Sequence, residues 1–376
     1  MSKKILKTTL VFSLSLLLWF SSIILVFATT ENKLTSKDKE VDLTFADIET
    51  LFANNILMDE DGKIKLRIEQ DPELEKMLAE CKKKGLKFGL ALGSGSARGL
   101  SEIGVIQVLQ AYNIPIDLIA GSSIGAVVGS LYAAGASTDQ LEEAALSMKK
   151  RSTLFLIDPT LPRSGLINGK KIEEMLNELA LEDKTFKDLE IPFAAVATDI
   201  ESGAEVILTQ GKVIDAVRAS ISIPGIFTPL KYQDYYLVDG GVVDPVPVDV
   251  TQKMGADIIL AVSLATLNPR SPVLITNQET GNLEEVEKNS TFKPKAKSTG
   301  EGPNIFDLIS QTLDIMEAKI TVESLEGADV VIVPLGIKGI GLSDFDQAES
   351  LIKGGIMATL IKMPEIKEAI KEKLKQ

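Results

Sequence analysis

Two stretches of this chain share one local plan: an apolar run stops at a turn of glycine and serine and continues into a helix-forming segment. In the first, residues 86–92 lead into Gly93-Ser94-Gly95-Ser96-Ala97-Arg98-Gly99 and a helical pattern over residues 100–112. In the second, residues 116–120 lead into Gly121-Ser122-Ser123-Ile124-Gly125 and a helix of small residues. Short apolar runs without polar alternation suit strands buried on both faces, and strands that alternate with helices build a parallel sheet. Further strands are expected at 193–198, 205–209, 235–238, 257–263 and 329–334. The fold class is therefore α/β, with helices layered on a mostly parallel sheet.

Composition agrees with a globular chain and narrows its partners. Of 376 residues, 45% are hydrophobic and 25% charged, enough for a sizeable core. The net charge of −13 offers no field to attract nucleic-acid phosphates, so no nucleic-acid partner is expected. Cys81 is the single cysteine, which rules out an internal disulfide and leaves it without the clustered partners of a zinc site. A buried, idle thiol is the expectation.

The N-terminus has the signature of targeting. Lys3, Lys4 and Lys7 precede an uncharged run over residues 10–27, about long enough to cross a bilayer, and Val26-Phe27-Ala28 supplies small residues at a cleavage position. Residues 1–30 thus read as a signal peptide or a membrane anchor. Either form puts the rest of the chain outside the cytoplasm, because flanking lysines stay inside. Residues 31–84 read as a linker and a helical extension, with amphipathic helices over 45–57 and 72–84. Asp59-Glu60-Asp61-Gly62 between them resembles part of a calcium loop. Aligning its glycine puts Leu57 and Ile68 where carboxylates are needed, so a solvated turn is expected.

The main domain should span residues 85–376. Its stretch from 270 to 303 is polar and aperiodic and reads as a mobile surface loop. Helical patterns return at 305–326 and 347–362 and, after a break at Pro364, at 365–374.

The chemistry centres on Gly121-Ser122-Ser123-Ile124-Gly125. A G-x-S-x-G pentapeptide between strand and helix makes a sharp turn that projects the central serine, here Ser123, from the sheet. Such a serine needs a base, and the chain has no histidine, so a Ser-His-Asp triad is excluded. A carboxylate can serve if a site that partly excludes water raises its proton affinity. Asp239-Gly240-Gly241, at the end of the strand at 235–238, is the leading candidate; a structural Asx-turn is the competing reading. Asp199, Asp234 and Asp244 lie near but lack the paired glycines. The loop from Gly93 to Gly99 offers backbone N–H groups at a helix start, suited to an oxyanion or, alternatively, to a dinucleotide phosphate.

In their order, these motifs resemble the bacterial patatin-like phospholipases: the glycine-rich loop with Arg98, the Gly121–Gly125 elbow and Asp239-Gly240-Gly241. Arg218-Ala219-Ser220-Ile221-Ser222-Ile223-Pro224-Gly225 also resembles the family segment before the aspartate strand. The resemblance spans about residues 87–358. It implies a three-layer α/β/α fold, a Ser123–Asp239 dyad, and hydrolysis of lipid acyl esters with no metal and no cofactor. The implied partners are a lipid or other acyl-ester substrate and a membrane surface. An acyltransferase or thioesterase with the same dyad, or a non-catalytic membrane-associated protein of the same fold, are the alternatives. Two departures stand out. Ser94 and Ser96 occupy positions usually glycine, and a Cβ costs about 1–2 kcal/mol wherever φ is positive. Glu102 stands where many relatives have histidine. Arg98 is expected to act structurally, and Ser222, Pro224 and Pro229 to shape the loop before the aspartate.

Overall fold

The computed structural model describes residues 55–58, 64–69, 71–150, 158, 165–265, 274–276, 283–285 and 305–376. The chain divides into two compact units, residues 1–50 with 270–295 and residues 51–269 with 296–376. In the first unit the described residues form a hairpin, Leu274–Thr276 paired antiparallel with Leu283–Glu285. Part of the segment expected as loop is therefore strand, with Leu274 opposite Glu285, Ile275 opposite Glu284 and Thr276 opposite Leu283. The targeting segment at 1–30 and the turn at Asp59–Gly62 lie outside the described residues. Among those described, no helix is long and apolar enough to cross a membrane.

The second unit opens with strands β1 (Ile56–Met58) and β2 (Ile64–Leu66), an antiparallel pair. Of the helix expected over 45–57, residues 45–54 lie outside the described residues, and Ile56 and Leu57 are strand, with Ile56 buried. Helix α1 (Pro72–Lys84) forms where its termini are specified. Asp71 accepts the Leu74 N–H at 3.0 Å, Pro72 opens the helix, Glu73 and Glu75 lie in the first turn, and Lys82, Lys83 and Lys84 in the last.

The main sheet contains β3 (Phe88–Leu92), β4 (Leu118–Ser122), β5 (Phe193–Asp199), β6 (Glu205–Leu208), β7 (Leu230–Tyr232), β8 (Tyr235–Asp239), β9 (Ile258–Val262) and, near the C-terminus, a strand at Val330–Ile332. Its order is Val330–Ile332, β9, β3, β4, β5, β8, β7, with β6 also paired to β5. The first five are parallel; β6, β7 and β8 are antiparallel to their neighbours. Helices α2 (Ser101–Ala111), α3 (Ile124–Ala133), α4 (Thr138–Lys150), α5 (Lys170–Leu176), α6 (Val213–Ser220), α7 (Val248–Lys253), α8 (Ile305–Ser324) and α9 (Ala348–Lys375) complete the element list.

Side-chain parity shows three layers. On one face Val248 and Val250 of α7 join clusters with Ala91, Ala120 and Ala194. Residues of opposite parity on the same strands, Leu92, Ile119 and Phe193, face Gly129 of α3. Helix α9 continues through Pro364 instead of breaking there. The proline removes one N–H, a loss of about 3 kcal/mol in a helix interior. Leu360, Met363, Ile366 and Ile370, on both sides of it, are buried, and each contributes about 1.5–3 kcal/mol by leaving water. Burial of one continuous face therefore outweighs the local break.

Candidate active site

Strand register assembles the site. Ser122, the last residue of β4, lies opposite Val196 of β5, and Asp239, the last residue of β8, lies opposite Ala197. Because β8 runs against β5 while β4 runs with it, the carboxyl ends of β4 and β8 arrive at consecutive positions of one strand. Two residues distant in sequence become neighbours: the Ser123 hydroxyl donates to Asp239 Oδ2 at 2.6 Å.

The elbow is strained and held. Ser123 adopts φ 52° and ψ −119° ahead of α3, a conformation costing on the order of 1–3 kcal/mol for a residue with a Cβ. A Cβ on Gly121 would overlap the Gly125 carbonyl, so the turn closes only with glycine there. Ser220, at the end of α6, fixes the strained residue: its hydroxyl accepts the Ser123 N–H at 2.9 Å and donates to the Val196 carbonyl at 2.5 Å.

Asp239 is clamped at every polar atom. The Gly241 N–H donates to Oδ1 at 2.8 Å, the Thr198 hydroxyl to the Asp239 carbonyl at 2.8 Å, and the Asp239 N–H to the Ser222 carbonyl at 3.0 Å. Gly240 opens the short 3-10 turn that aims the Gly241 N–H. Burial pushes the carboxyl up to about 7, against the Ser123 and Gly241 hydrogen bonds that favour its charged form. Both Ser123 and Asp239 are only 4% exposed. Asp199, by contrast, binds the Ser202 hydroxyl and N–H in a local turn, Asp234 lies in the β7–β8 turn, and Asp244 faces Glu205.

The glycine-rich loop begins at Gly93, directly after β3, and Gly95 caps a 3-10 turn over Ser96–Leu100. Its donors divide unevenly. The Ser94 N–H is committed to the Pro245 carbonyl at 2.7 Å and the Arg98 N–H to Gly95 at 3.2 Å, so neither is open to a ligand. Gly99 lies inside the turn, packed against Ile124. Among the described residues, the N–H groups of Gly95, Ser96 and Ala97 have no hydrogen-bond partner. Of the two serines, Ser96 has the positive φ, 49°; its hydroxyl donates to the Leu342 carbonyl at 2.6 Å and anchors that conformation.

Helix α8 covers the site, which motif reading did not anticipate. Its Asp314 pairs with Arg98 at 2.5 Å, and its Glu317 accepts the Ser94 hydroxyl at 2.8 Å. A Cβ on Gly241 would strike both Glu317 Oε1 and Ser94 Oγ, so the second glycine of Asp239-Gly240-Gly241 makes room for this cover. Burial raises the Glu317 carboxyl to about 8, with the nearby Asp239 adding to the shift and Arg98 opposing it. The cavity bounded by Gly95, Ser96, Ser123, Asp239, Leu313 and Glu317 measures about 20 Å³, roughly room for one water. Arg98 has a structural position, its Nε donating to the Gly95 carbonyl at 3.1 Å.

Three further predicted positions take structural places. Glu102 is fully buried with its carboxyl pushed well up by burial, Cys81 is buried with its thiol raised for the same reason, and Ser222 accepts from Arg218 Nη1 at 2.7 Å. Arg218 organises the approach to β8: it donates to the Asn168 carbonyl at 2.5 Å and the Thr228 carbonyl at 3.0 Å, and stacks 5.5 Å from the Phe227 ring centre. Ser220 was visible within the segment at 218–225, but its role depends on β5, which local pattern does not reveal.

Comparison with known proteins agrees with this architecture. The patatin-like phospholipase family matches residues 90–251. An uncharacterised NTE family protein of Mycobacterium tuberculosis is 41% identical over 178 residues, 47% of this chain and 49% of that protein. Patatin-like phospholipase domain-containing protein 6 of Homo sapiens is 33% identical over 187 residues, 48% of this chain and 14% of that protein. Protein 7 of the same series from Rattus norvegicus is 32% identical over a stretch of equal length. The chain thus spans about half the length of the mycobacterial relative and a smaller part of the mammalian ones. Residues 90–251 thus match the patatin-like phospholipase family, and they lie in a mostly parallel sheet with flanking helices, a three-layer α/β/α fold.

Proposed function

We propose that the protein is a serine lipid acyl hydrolase, of phospholipase or lysophospholipase type, in which Ser123 is the nucleophile and Asp239 its base. The observation that carries this reading is the 2.6 Å bond from the Ser123 hydroxyl to a buried carboxyl raised to about 7. A base with that proton affinity is ionised in about half the molecules at neutral pH and still basic enough to take a hydroxyl proton in the transition state.

As Ser123 Oγ attacks the ester carbonyl carbon, its proton passes to Asp239 Oδ2. The carbonyl π electrons move to oxygen, and the N–H groups of Gly95, Ser96 and Ala97 hold the resulting oxyanion; loss of one such donor costs about 3–4 kcal/mol. The intermediate collapses, Asp239 returns the proton to the departing alkoxide, and an alcohol leaves. Water then attacks the acyl-serine, giving its proton to Asp239, and collapse frees the carboxylic acid with the proton back on Ser123. The Gly241 N–H keeps Oδ1 occupied, so Oδ2 is the oxygen turned towards serine.

A membrane surface as partner is supported by the outer side of α8. Leu308, Ile315 and Val322 are exposed there at seven-residue spacing, beside exposed Met316. A cavity of about 20 Å³ holds no ester, so α8 has to move for substrate to enter. Lipid contact with this stripe would favour that movement. Export through residues 1–30, with the domain acting outside the cytoplasm, completes the proposal.

Fluorophosphonate labelling tests the dyad. Wild type is expected to react covalently, Ser123→Ala not at all, and Asp239→Asn at least a hundredfold more slowly. Hydrolysis of phospholipid and lysophospholipid vesicles should follow the same order. Equal labelling of wild type and Ser123→Ala would sink the assignment.

A further inference from the structure

The exit from the aspartate turn carries a second polar cluster that the proposed reaction does not use. Glu205 from β6, Asp244 from the turn after Gly241 and Asp249 from α7 bring one carboxylate oxygen each to within 4.8 Å of the others. Asp244 is 8% exposed, and its Oδ2, together with Glu205 Oε1, is buried with no hydrogen-bond partner. Buried carboxylate oxygens almost always have a partner, and although the Ser324 hydroxyl also bonds Asp244, these two facing oxygens have only each other, so a proton or a cation must lie between them.

We propose that Glu205, Asp244 and Asp249 bind a hard divalent cation, calcium in preference to magnesium, which ties the aspartate turn to β6 and α7. The donors are all oxygens, as such an ion requires. Calcium holds oxygens at about 2.4 Å in flexible geometry, so three oxygens that lie within 4.8 Å of one another can share one ion without the strict octahedron magnesium demands. Asp249 is exposed, which leaves a side of the site open to the waters that complete the shell. The charge balance also fits. Lys253 Nζ lies 2.6 Å from Asp249 Oδ2 and 3.8 Å from Glu205 Oε2, while among the described residues no basic side chain pairs with Asp244. Three ionised carboxylates and one ammonium leave two negative charges, the complement of a divalent cation. The role is structural: the site is separate from the groups that would touch an ester, and the inference stands or falls independently of the hydrolase reading.

Protons compete with the cation. Asp244 is raised to about 7, by burial first and also by the facing Glu205 and Asp249 charges, with the Ser324 hydroxyl and Lys253 as the other polar neighbours.

The test uses the full chain, stripped with EDTA and dialysed, titrated with CaCl₂ or MgCl₂ at pH 7.5 by calorimetry and thermal unfolding. Calcium is expected to bind with a stoichiometry near one and to raise Tm by about 4 °C at a hundredfold excess over Kd. Magnesium should raise it by less than half as much. Asp244→Asn and Glu205→Gln should each abolish most of the shift, and exposed Asp249→Asn, which leaves the buried pair intact, should weaken binding about tenfold. No calcium effect on wild type, or an equal effect on wild type and Asp244→Asn, would overturn the proposal. The proposal also fails if calcium is inert while Asp244→Asn alone is more stable than wild type; that result would mean the two carboxyls share a proton.

Discussion

In the proposed mechanism Asp239 loses its proton before it accepts one from Ser123, and burial sets that loss near neutrality. Because the basic form is the active one and its carboxyl titrates at about 7, kcat/KM should rise with pH and level off above that value. Below it the rate should fall about tenfold per pH unit; a profile flat from pH 5 to 8 would contradict the role given to this residue. Glu102 is expected to act on stability instead. Its folded carboxyl keeps a proton well above 4.5, where the unfolded chain has released it. Its contribution is thus largest in acid and is lost as pH rises from there towards the folded value. Glu102→Gln removes the titration, so wild type should lose Tm relative to the variant between pH 5 and pH 8. At this scale the sequence was most legible where a residue's own turn defines it. The absence of histidine and the paired glycines after Asp239 pointed to two residues that the structure brings into hydrogen-bond contact. Glu317 escaped notice because nothing adjacent to it in sequence marks it, and Ser220 was visible only as part of the segment at 218–225, without its role; each reaches the site by crossing from another element.

Among the elements, the proposed function makes α8 the one that governs access. Its inner side is tied down by Asp314 to Arg98 and by Glu317 to Ser94, while its outer side carries the apolar residues at seven-residue spacing. Loosening the first tie with Asp314→Asn should speed hydrolysis of a soluble short-chain ester several-fold, with a smaller effect on lipid vesicles, where the surface already favours displacement. An unchanged ester rate would show that this ion pair does not limit entry. The buried strands were readable because continuous apolar runs bounded by glycine leave few alternatives. Helix α9 was not: Pro364 predicts a break from local geometry, and only the burial of Leu360 and Ile366 on either side reveals why the helix continues. Strand β7 escaped for a related reason, since three residues, Leu230–Tyr232, have no periodicity to read and gain their conformation from β8.

For the molecule as a whole, a net charge of −13 bears on which lipid surface it prefers. Vesicles of zwitterionic lipid should be hydrolysed faster than anionic ones at low salt, and added salt should narrow the gap by screening repulsion. The reverse order, with anionic vesicles preferred at low salt, would indicate a local basic surface that outweighs the total. The meeting of β4 and β8 on β5 also bears on how the protein is made. Ser123 leaves the ribosome 116 residues before Asp239, and the two come together only when Tyr235–Asp239 has found its register. During synthesis the chain therefore carries a serine with no base beside it. If the proposed dyad is the working one, the newborn polypeptide is inert until the sheet is complete.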